Sequence, residues 1–370
     1  MRILIVIDDF FNKSNGMCIS TQRFAHEFKQ AGNEVRIVSC KDGGKAYYSL
    51  PELVVPFFKK IIAKEGYHIA WPKKKVLKAA VGWADMVAVE TPFPVSWRAA
   101  KYAKRMNKPA YGTFHIYPGN ITETLHINNW FFNNFFMYFF RDISFRNCAA
   151  MQCPTEKVKA ELEKYHFKQK LYVISNGITQ AFIDNPHKKE VGHPFTILCI
   201  GRYSREKHQE VLFKAMKLVQ HNQKIRLIFA GKGPLKKEYE QLARELPAKP
   251  IMKFYTATQL RKVMRETDLV VHCADVEVEG MACMEAFAAG CVPVIADSPL
   301  SSTASYALTA HNLFPAGDCQ RLAAQIDYWY DHPAELVKMR QRYRTYAKEF
   351  TVRKSAEKAL NMMREIEKKN

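Results

Sequence analysis

Residues 269–297 read Leu-Val-Val-His-Cys-Ala-Asp-Val-Glu-Val-Glu-Gly-Met-Ala-Cys-Met-Glu-Ala-Phe-Ala-Ala-Gly-Cys-Val-Pro-Val-Ile-Ala-Asp. Leu269–His272 is a short apolar run, read as a buried strand. An acidic loop follows from Asp275 to Gly280. Met281–Ala289 is rich in small residues and reads as a helix stopped by Gly290. Val292–Ile295 is the next buried strand, so the stretch is a β-loop-α-β unit. Glu277 lies in the loop, and Glu285 lies about one turn inside the helix, with seven residues between them. Ligands of open parallel sheets bind outside the carboxyl ends of the strands, which puts both carboxylates beside one crevice. The helix start at Gly280, Met281 and Ala282 offers backbone N–H groups to an anion. The plainer reading is an acidic loop followed by a solvated helix. The functional reading is a site for a molecule with both hydroxyls and phosphates, such as a nucleotide sugar.

Working outward, the chain of 370 residues is long enough for two domains with full cores. A hydrophobic content of 48% with 25% charged residues marks it as globular rather than disordered. Met1-Arg-Ile-Leu-Ile-Val-Ile-Asp8-Asp9 reads as a first strand, too short in its apolar part for a signal peptide. The longest apolar run, Trp130–Phe140, is interrupted by Asn133 and Asn134 and is too short to span a bilayer. Nine Cys without C-x-x-C or His/Cys ligand spacing suggest free thiols in a reducing cytoplasm and no zinc site. The formal net charge of +20 suits a nucleic acid, an anionic membrane surface or an anionic small substrate.

Apolar runs alternate with helical patterns along the whole chain, as in parallel α/β sheets. In the first half, strands are expected at Arg2–Ile7, Glu34–Ser39, Met86–Glu90, Ala110–His115, Met151–Pro154 and Leu171–Ser175. Helices are expected at Cys18–Ala31, Lys74–Ala84, Pro94–Asn107 and Thr155–Lys164. Asp184–Pro194 is a polar break between domains, giving domains at 1–185 and 194–350. The alternation then restarts with a strand at Thr196–Ile200, and the chain ends in a basic amphipathic helix within 351–370.

Three loops between strand and helix are candidate sites. Gly201-Arg202-Tyr203-Ser204-Arg205-Glu206-Lys207 places Arg202 and Lys207 across one strand-to-helix turn, a fork of donors and a mobile point charge for phosphate oxygens. Ala230-Gly231-Lys232-Gly233-Pro234 reads as a tight turn. Asn12–Met17 carries Gly16, which lets backbone approach a phosphate. A fourth segment, Thr113-Phe114-His115-Ile116-Tyr117-Pro118-Gly119-Asn120-Ile121-Thr122, ends a strand on a histidine.

Glu277-x7-Glu285, Gly201-Arg202-x4-Lys207 and the Gly231/Gly233 turn resemble the retaining glycosyltransferases of family 4. Among these, the chain looks most like the diacylglycerol and lipid α-glucosyltransferases. The resemblance implies the GT-B fold, an α/β architecture of two facing Rossmann-like domains with a deep interdomain cleft, the last helix returning to the N-terminal domain. It implies that Arg202 and Lys207 neutralise the departing diphosphate, charge that develops in the transition state. Glu277 would hold the hydroxyls of the donor sugar, with Glu279 as the alternative, and Glu285 the ribose diol. Gly231 and Gly233 would lie near the nucleotide, Gly16 over the diphosphate, and His115 against the transferred sugar. The implied donor is a UDP-hexose, glucose ahead of galactose, with no cofactor and no metal. The lipid enzymes often carry Pro-Glu-Asn-x-Thr after the histidine; here Gly119 replaces that Glu, which leaves the acceptor open.

The basic charge is concentrated. From Phe57 to Lys78 seven Lys stand against one Glu, among them Lys59, Lys60, Lys73, Lys74 and Lys75, interleaved with Phe57, Phe58 and Trp71. Ile127–Phe140 carries Trp130 and a run of Phe. Such a cluster is ordinarily core, but aromatics also suit a membrane interface, and Lys beside them adds attraction to anionic lipid. The expectation is a cytoplasmic enzyme, peripheral on the inner face of the plasma membrane, acting on a lipid hydroxyl. The rival readings are a glycan acceptor for surface polysaccharide and a basic nucleic-acid-binding protein.

Overall fold

The computed structural model describes the chain apart from residues 14, 55–66, 126, 128, 186, 189–192 and 369–370. Two compact units form. One is Met1–Gly177 with Val352–Asn370, and the other is Ile178–Thr351. The second unit begins ahead of the polar stretch at 184–194, because Ile178, Phe182 and Ile183 are buried in its core.

The first unit holds strands β1 (Arg2–Val6), β2 (Glu34–Ser39), β3 (Tyr48–Ser49), β4 (Met86–Val89), β5 (Ala110–Thr113), β6 (Ala150–Cys153) and β7 (Lys170–Val173). They pair in parallel in the order β3-β2-β1-β4-β5-β6-β7. The second holds β8 (Phe195–Ile200), β9 (Ile225–Ala230), β10 (Ile251–Lys253), β11 (Leu269–His272), β12 (Val276–Glu277), β13 (Val292–Asp297), β14 (Leu300–Ser301) and β15 (Leu313–Pro315). Its main sheet runs β10-β9-β8-β11-β13-β15, again parallel. Such sheets are covered on both faces, which is why Ile3–Val6 and Leu269–His272 read as unbroken apolar runs and are fully buried.

Strand order reverses between β1 and β4 and again between β8 and β11. At such a reversal the two outgoing loops turn to opposite faces and leave an opening at the strand ends. The loops after β8 and β11 carry Lys207 and Glu277. Those after β1 and β4 carry Asp8 and Glu90.

The helix Val352–Glu367 belongs to the first unit. Ala356, Ala359, Leu360, Met362, Met363 and Ile366 enter that unit's core. Its Glu365 accepts from Tyr172 Oη at 2.7 Å and pairs with Lys170 Nζ at 2.5 Å, tying it to β7.

The aromatic run is not core. The helix Trp130–Phe139 buries only Met137. Trp130 is 80% exposed and Phe131 65%, and Phe135 and Tyr138 are also exposed. The reason lies in its two ends. Asn129 caps the start, accepting from Phe132 N–H. The far end runs into a wide turn, Phe140–Ser144, where Phe140 and the following Phe145 are buried and Ser144 Oγ donates to Pro92 O. Asn133, which accepts from Thr122 Oγ1 at 2.6 Å, and Asn134, which accepts from Tyr165 Oη, hold the polar side of the helix to the unit, while Trp130, Phe131 and Phe135 face solvent.

All nine cysteines are free thiols. Among the described residues, no helix is long and apolar enough to cross a membrane. Since the last helix completes a core, Leu360→Ala should cost about 2–5 kcal/mol of stability. Denaturant unfolding is the measurement, and an unchanged midpoint would mean that the helix does not stabilise the first unit.

Candidate functional site

The second unit gathers most of the predicted groups at the carboxyl ends of β8, β9 and β11. After β8, Gly201–Tyr203 lies against the turn that follows β9. Tyr203 N–H donates to Lys232 O at 3.1 Å, and Leu235 N–H to Tyr203 O at 3.0 Å. A Cβ at Gly231 would lie 1.9 Å from Gly201 O, and one at Gly233 would lie 2.4 Å from Tyr203 O. Both glycines are therefore required by the close approach of two backbones. Their role in the site is to fix the loop carrying Arg202.

Arg202 Nη2 pairs with Glu206 Oε1 at 2.8 Å, and Ser204 Oγ donates to the same oxygen at 2.6 Å. Lys207 Nζ pairs with Glu277 Oε2 at 2.5 Å. Burial works to lower the Lys207 ammonium, but Glu277 and Glu206 outweigh it and raise it above the usual lysine value. Burial likewise works to raise the Glu277 carboxyl, and Lys207 holds it below the usual range. Both groups are therefore held charged. Burial pushes the His272 imidazole down to about 4, so it is neutral beside them, with Nε2 3.7 Å from Glu277 Oε2.

Glu277 is fixed by a device absent from the expected acidic loop. Val276–Glu277 pairs with Leu300–Ser301 as a two-stranded ribbon, and Ser302 N–H donates to Glu277 O. Glu279 is only 2% exposed, so Glu277 is the carboxylate presented to Lys207. Gly280 follows with φ 77°, where a Cβ would lie 2.0 Å from Thr303 Cγ2. This left-handed residue opens the helix Met281–Ala288, and no side chain among the described residues caps it. Met281, Ala282 and Glu285 are half-buried on its first turns.

In the first unit, His115 Nε2 lies 3.0 Å from Glu90 Oε2, and both side chains are nearly enclosed. Glu90 follows β4 and His115 follows β5, neighbouring strands. Thr91 Oγ1 donates to Asp8 Oδ2 at 2.7 Å, and burial raises the Asp8 carboxyl to about 7. The helix at Gly16 begins two residues before the expected Cys18, because Asn15 caps it, accepting from Met17 N–H at 3.0 Å and Cys18 N–H at 3.5 Å. Gly16 contributes open space, since a Cβ there would meet nothing within 4 Å. The two N–H groups beyond it are already engaged by Asn15.

The sequence reading passed over four groups. Glu206 stands inside the quoted loop but only the cations beside it drew notice. Glu90 ends a strand, which is itself a positional signal. His272 ends β11, and His208 follows Lys207. Of the membrane and acceptor candidates, Trp71, Lys73, Lys74 and Lys75 are exposed, as is Trp130. Lys59 and Lys60, with Phe57 and Phe58, lie outside the described residues.

The family model for Glycosyltransferase Family 4 matches residues 14–182, and that for Glycosyl transferases group 1 matches residues 182–350. The alpha-monoglucosyldiacylglycerol synthase of Streptococcus pneumoniae is 24% identical over 324 residues, which cover 80% of this chain and 71% of that protein. The fold matches sucrose-phosphate synthase from Thermosynechococcus elongatus over the whole of both chains, with TM-score 0.78 and 14% identity. It also matches Anabaena HepE, solved with UDP-glucose, at TM-score 0.72 and 14% identity, over 99% of this chain and 100% of that one. The two family models meet at residue 182 and together span residues 14–350, so the chain belongs to the family 4 glycosyltransferases, and its two parallel sheets and these fold neighbours give it the GT-B fold.

Proposed function

We propose that this glycosyltransferase moves a hexose, with retention, from a UDP-hexose to a hydroxyl of a membrane lipid such as diacylglycerol or a sphingolipid. Glucose is the first choice and galactose the second. The observation that carries the donor half is the cluster of Arg202, Lys207 and Glu277 at one strand reversal. Two fixed cations suit a diphosphate, and a carboxylate beside them suits sugar hydroxyls. Glu285, half-buried on the adjoining helix, suits a ribose diol. HepE, of the same fold, is described in complex with UDP-glucose.

In this reading the bond between the sugar C1 and the diphosphate oxygen breaks, and a bond forms from the acceptor oxygen to C1 on the same face. The acceptor proton passes to the leaving diphosphate oxygen. Arg202 and Lys207 stabilise the charge that gathers there. Because they would be in place before the reaction, little reorganisation is needed. No metal is required for this step. His115, oriented by Glu90, would lie against the transferred sugar.

The acceptor half rests on a surface of the first unit. The exposed aromatic helix Trp130–Phe139 meets the helix Pro94–Arg105 through Trp97 and Phe139, edge to face at 5.3 Å. That helix exposes Arg98, Lys101, Lys104 and Arg105, and packs beside the helix Lys74–Trp83, which exposes Lys74, Lys75 and Lys78. None of the three helices contains an acidic residue. A cationic face with projecting Trp and Phe suits an anionic bilayer, cations at headgroups and aromatics at the acyl boundary. This is the surface expected of a peripheral enzyme on the cytoplasmic leaflet. The S. pneumoniae relative is named for a glucosyldiacylglycerol product, which supports a lipid acceptor.

The test is incubation with UDP-glucose, UDP-galactose and GDP-mannose in a total lipid extract, followed by mass spectrometry. A hexosylated lipid is expected; transfer only to a saccharide would replace this acceptor with a glycan. Arg202→Ala and Lys207→Ala should each lower kcat more than they weaken nucleoside binding, and EDTA should leave wild-type activity unchanged. Wild-type turnover in either variant would remove that residue from the reaction. Glu285→Ala should weaken UDP binding by roughly 1–3 kcal/mol, read by calorimetry on folded protein. Unchanged affinity would place the ribose elsewhere. Trp130→Ser combined with Phe131→Ser and Phe135→Ser should release the protein from anionic vesicles, and wild-type binding should weaken with salt. Sedimentation equal to wild type would assign the membrane contact to another surface.

A further inference from the structure

His208 occupies a backbone conformation that rarely suits a residue with a side chain. It ends the short turn Arg205–Lys207 with φ 44° and ψ 37°. A glycine would sit there without strain. A histidine persists in such a place only when its surroundings hold it. The surroundings here are two carboxylates, one on each ring nitrogen. Nδ1 lies 3.0 Å from Glu210 Oε1, and Nε2 lies 2.9 Å from Asp275 Oδ2. A neutral imidazole would turn a lone pair toward one of them, whereas an imidazolium donates to both. The pairing with Asp275 and then with Glu210 raises the ring to about 10.

The partners stand on different elements. Glu210 opens the helix Glu210–Met216 that follows the Arg202–Lys207 loop, and its Oε2 accepts from Tyr239 Oη at 3.4 Å. Asp275 lies on the loop after β11, two residues before Glu277. Asp275 N–H also donates to Glu206 O at 3.0 Å, and Ser298 Oγ donates to Asp275 O at 2.7 Å. His208 therefore bridges the two loops next to the Lys207–Glu277 pair. It also adds charge. Arg202, Lys207 and His208 face Glu206, Glu210, Asp275 and Glu277.

We propose that His208 is a positioning residue for the transfer: it pins the β8 loop to the β11 loop so that Lys207 and Glu277 meet the donor in register. The proposal rests on the donor reading given above for Arg202 and Lys207. His208→Asn tests it, because Asn tolerates the left-handed backbone, but its one short amide nitrogen does not replace two ring nitrogens donating in different directions, and it carries no charge. In the full-length protein, with the donor identified among UDP-glucose, UDP-galactose and GDP-mannose, kcat should fall about tenfold or more, as small misplacements of catalytic groups do. The melting temperature should change little. His208→Arg, which restores the charge and several donors, should recover most of the rate. In a Lys207→Ala background His208→Asn should have no further effect, since it acts through Lys207.

Wild-type kcat in folded His208→Asn would overturn the proposal, as would an equal loss in both backgrounds. If His208→Asn does not fold, His208→Gly, which relieves the backbone, answers the same question. The two readings fail differently. Full activity in Lys207→Ala removes the donor assignment and this inference with it. Loss in Lys207→Ala with none in His208→Asn removes only this one.

Discussion

The Lys207–Glu277 ion pair is the constraint on which the second unit's site depends. Each partner is largely enclosed, and each is held in its charged form by the other against burial. Removing one member leaves the charge of the survivor uncompensated in a largely enclosed place. The loops around it are arranged to keep it intact. Gly231 and Gly233 let the β9 turn lie on the β8 loop, the β12–β14 ribbon fixes Glu277, and neutral His272 adds no competing charge. On the proposed donor reading, an incoming diphosphate and its sugar would find both halves of the pair already ionised. The binding energy then need not be spent on deprotonation or on ordering the loops.

The same logic of strand reversal governs both units. In the second, the reversal between β8 and β11 brings a cation-bearing loop against an acid-bearing one. In the first, the reversal between β1 and β4 brings Asp8 to Thr91, with Glu90 beside them and His115 on the next strand. The first unit's groups are acids and a histidine rather than paired cations. The two units thus carry different chemistry at the same place in like folds, a difference that the folds alone do not impose.

Much of this was legible in the sequence. Strands β1, β2, β4, β8 and β11 are short apolar runs between Gly, Asn and charged punctuation, and periodicity finds them. The Glu277–Glu285 and Arg202–Lys207 spacings lie within single β-loop-α units, so local reading reaches them. What escaped was set by pairing between distant segments. β3, β10 and β15 are edge strands of two or three residues whose only signal is a neighbour. Glu90 and His115 are 25 residues apart and meet because β4 and β5 are adjacent. His208 and Asp275 are far apart in sequence and meet because β8 and β11 are adjacent, and the left-handed backbone of His208 has no composition signature. The roles of Gly231 and Gly233 became plain only when the facing backbone was in view.

The aromatic run shows the limit of composition most clearly. Trp130-Phe131-Phe132 reads as core because large apolar side chains usually are. Its burial is decided by what covers it, and in the described first unit the anchors Phe140 and Phe145 leave Trp130 and Phe131 in solvent. An exposed apolar patch of this kind has a cost that a partner must offset. The neighbouring helices narrow the choice: Pro94–Arg105 and Lys74–Trp83 expose lysines and arginines and contain no acid. Another protein with a matching acidic, aromatic-accepting groove would satisfy the charge. A bilayer satisfies charge and apolar depth together, and it is also where a lipid hydroxyl is found. On the proposed lipid reading, surface and acceptor constrain each other: the cations and exposed aromatics of this face would meet the same bilayer that holds the acceptor hydroxyl.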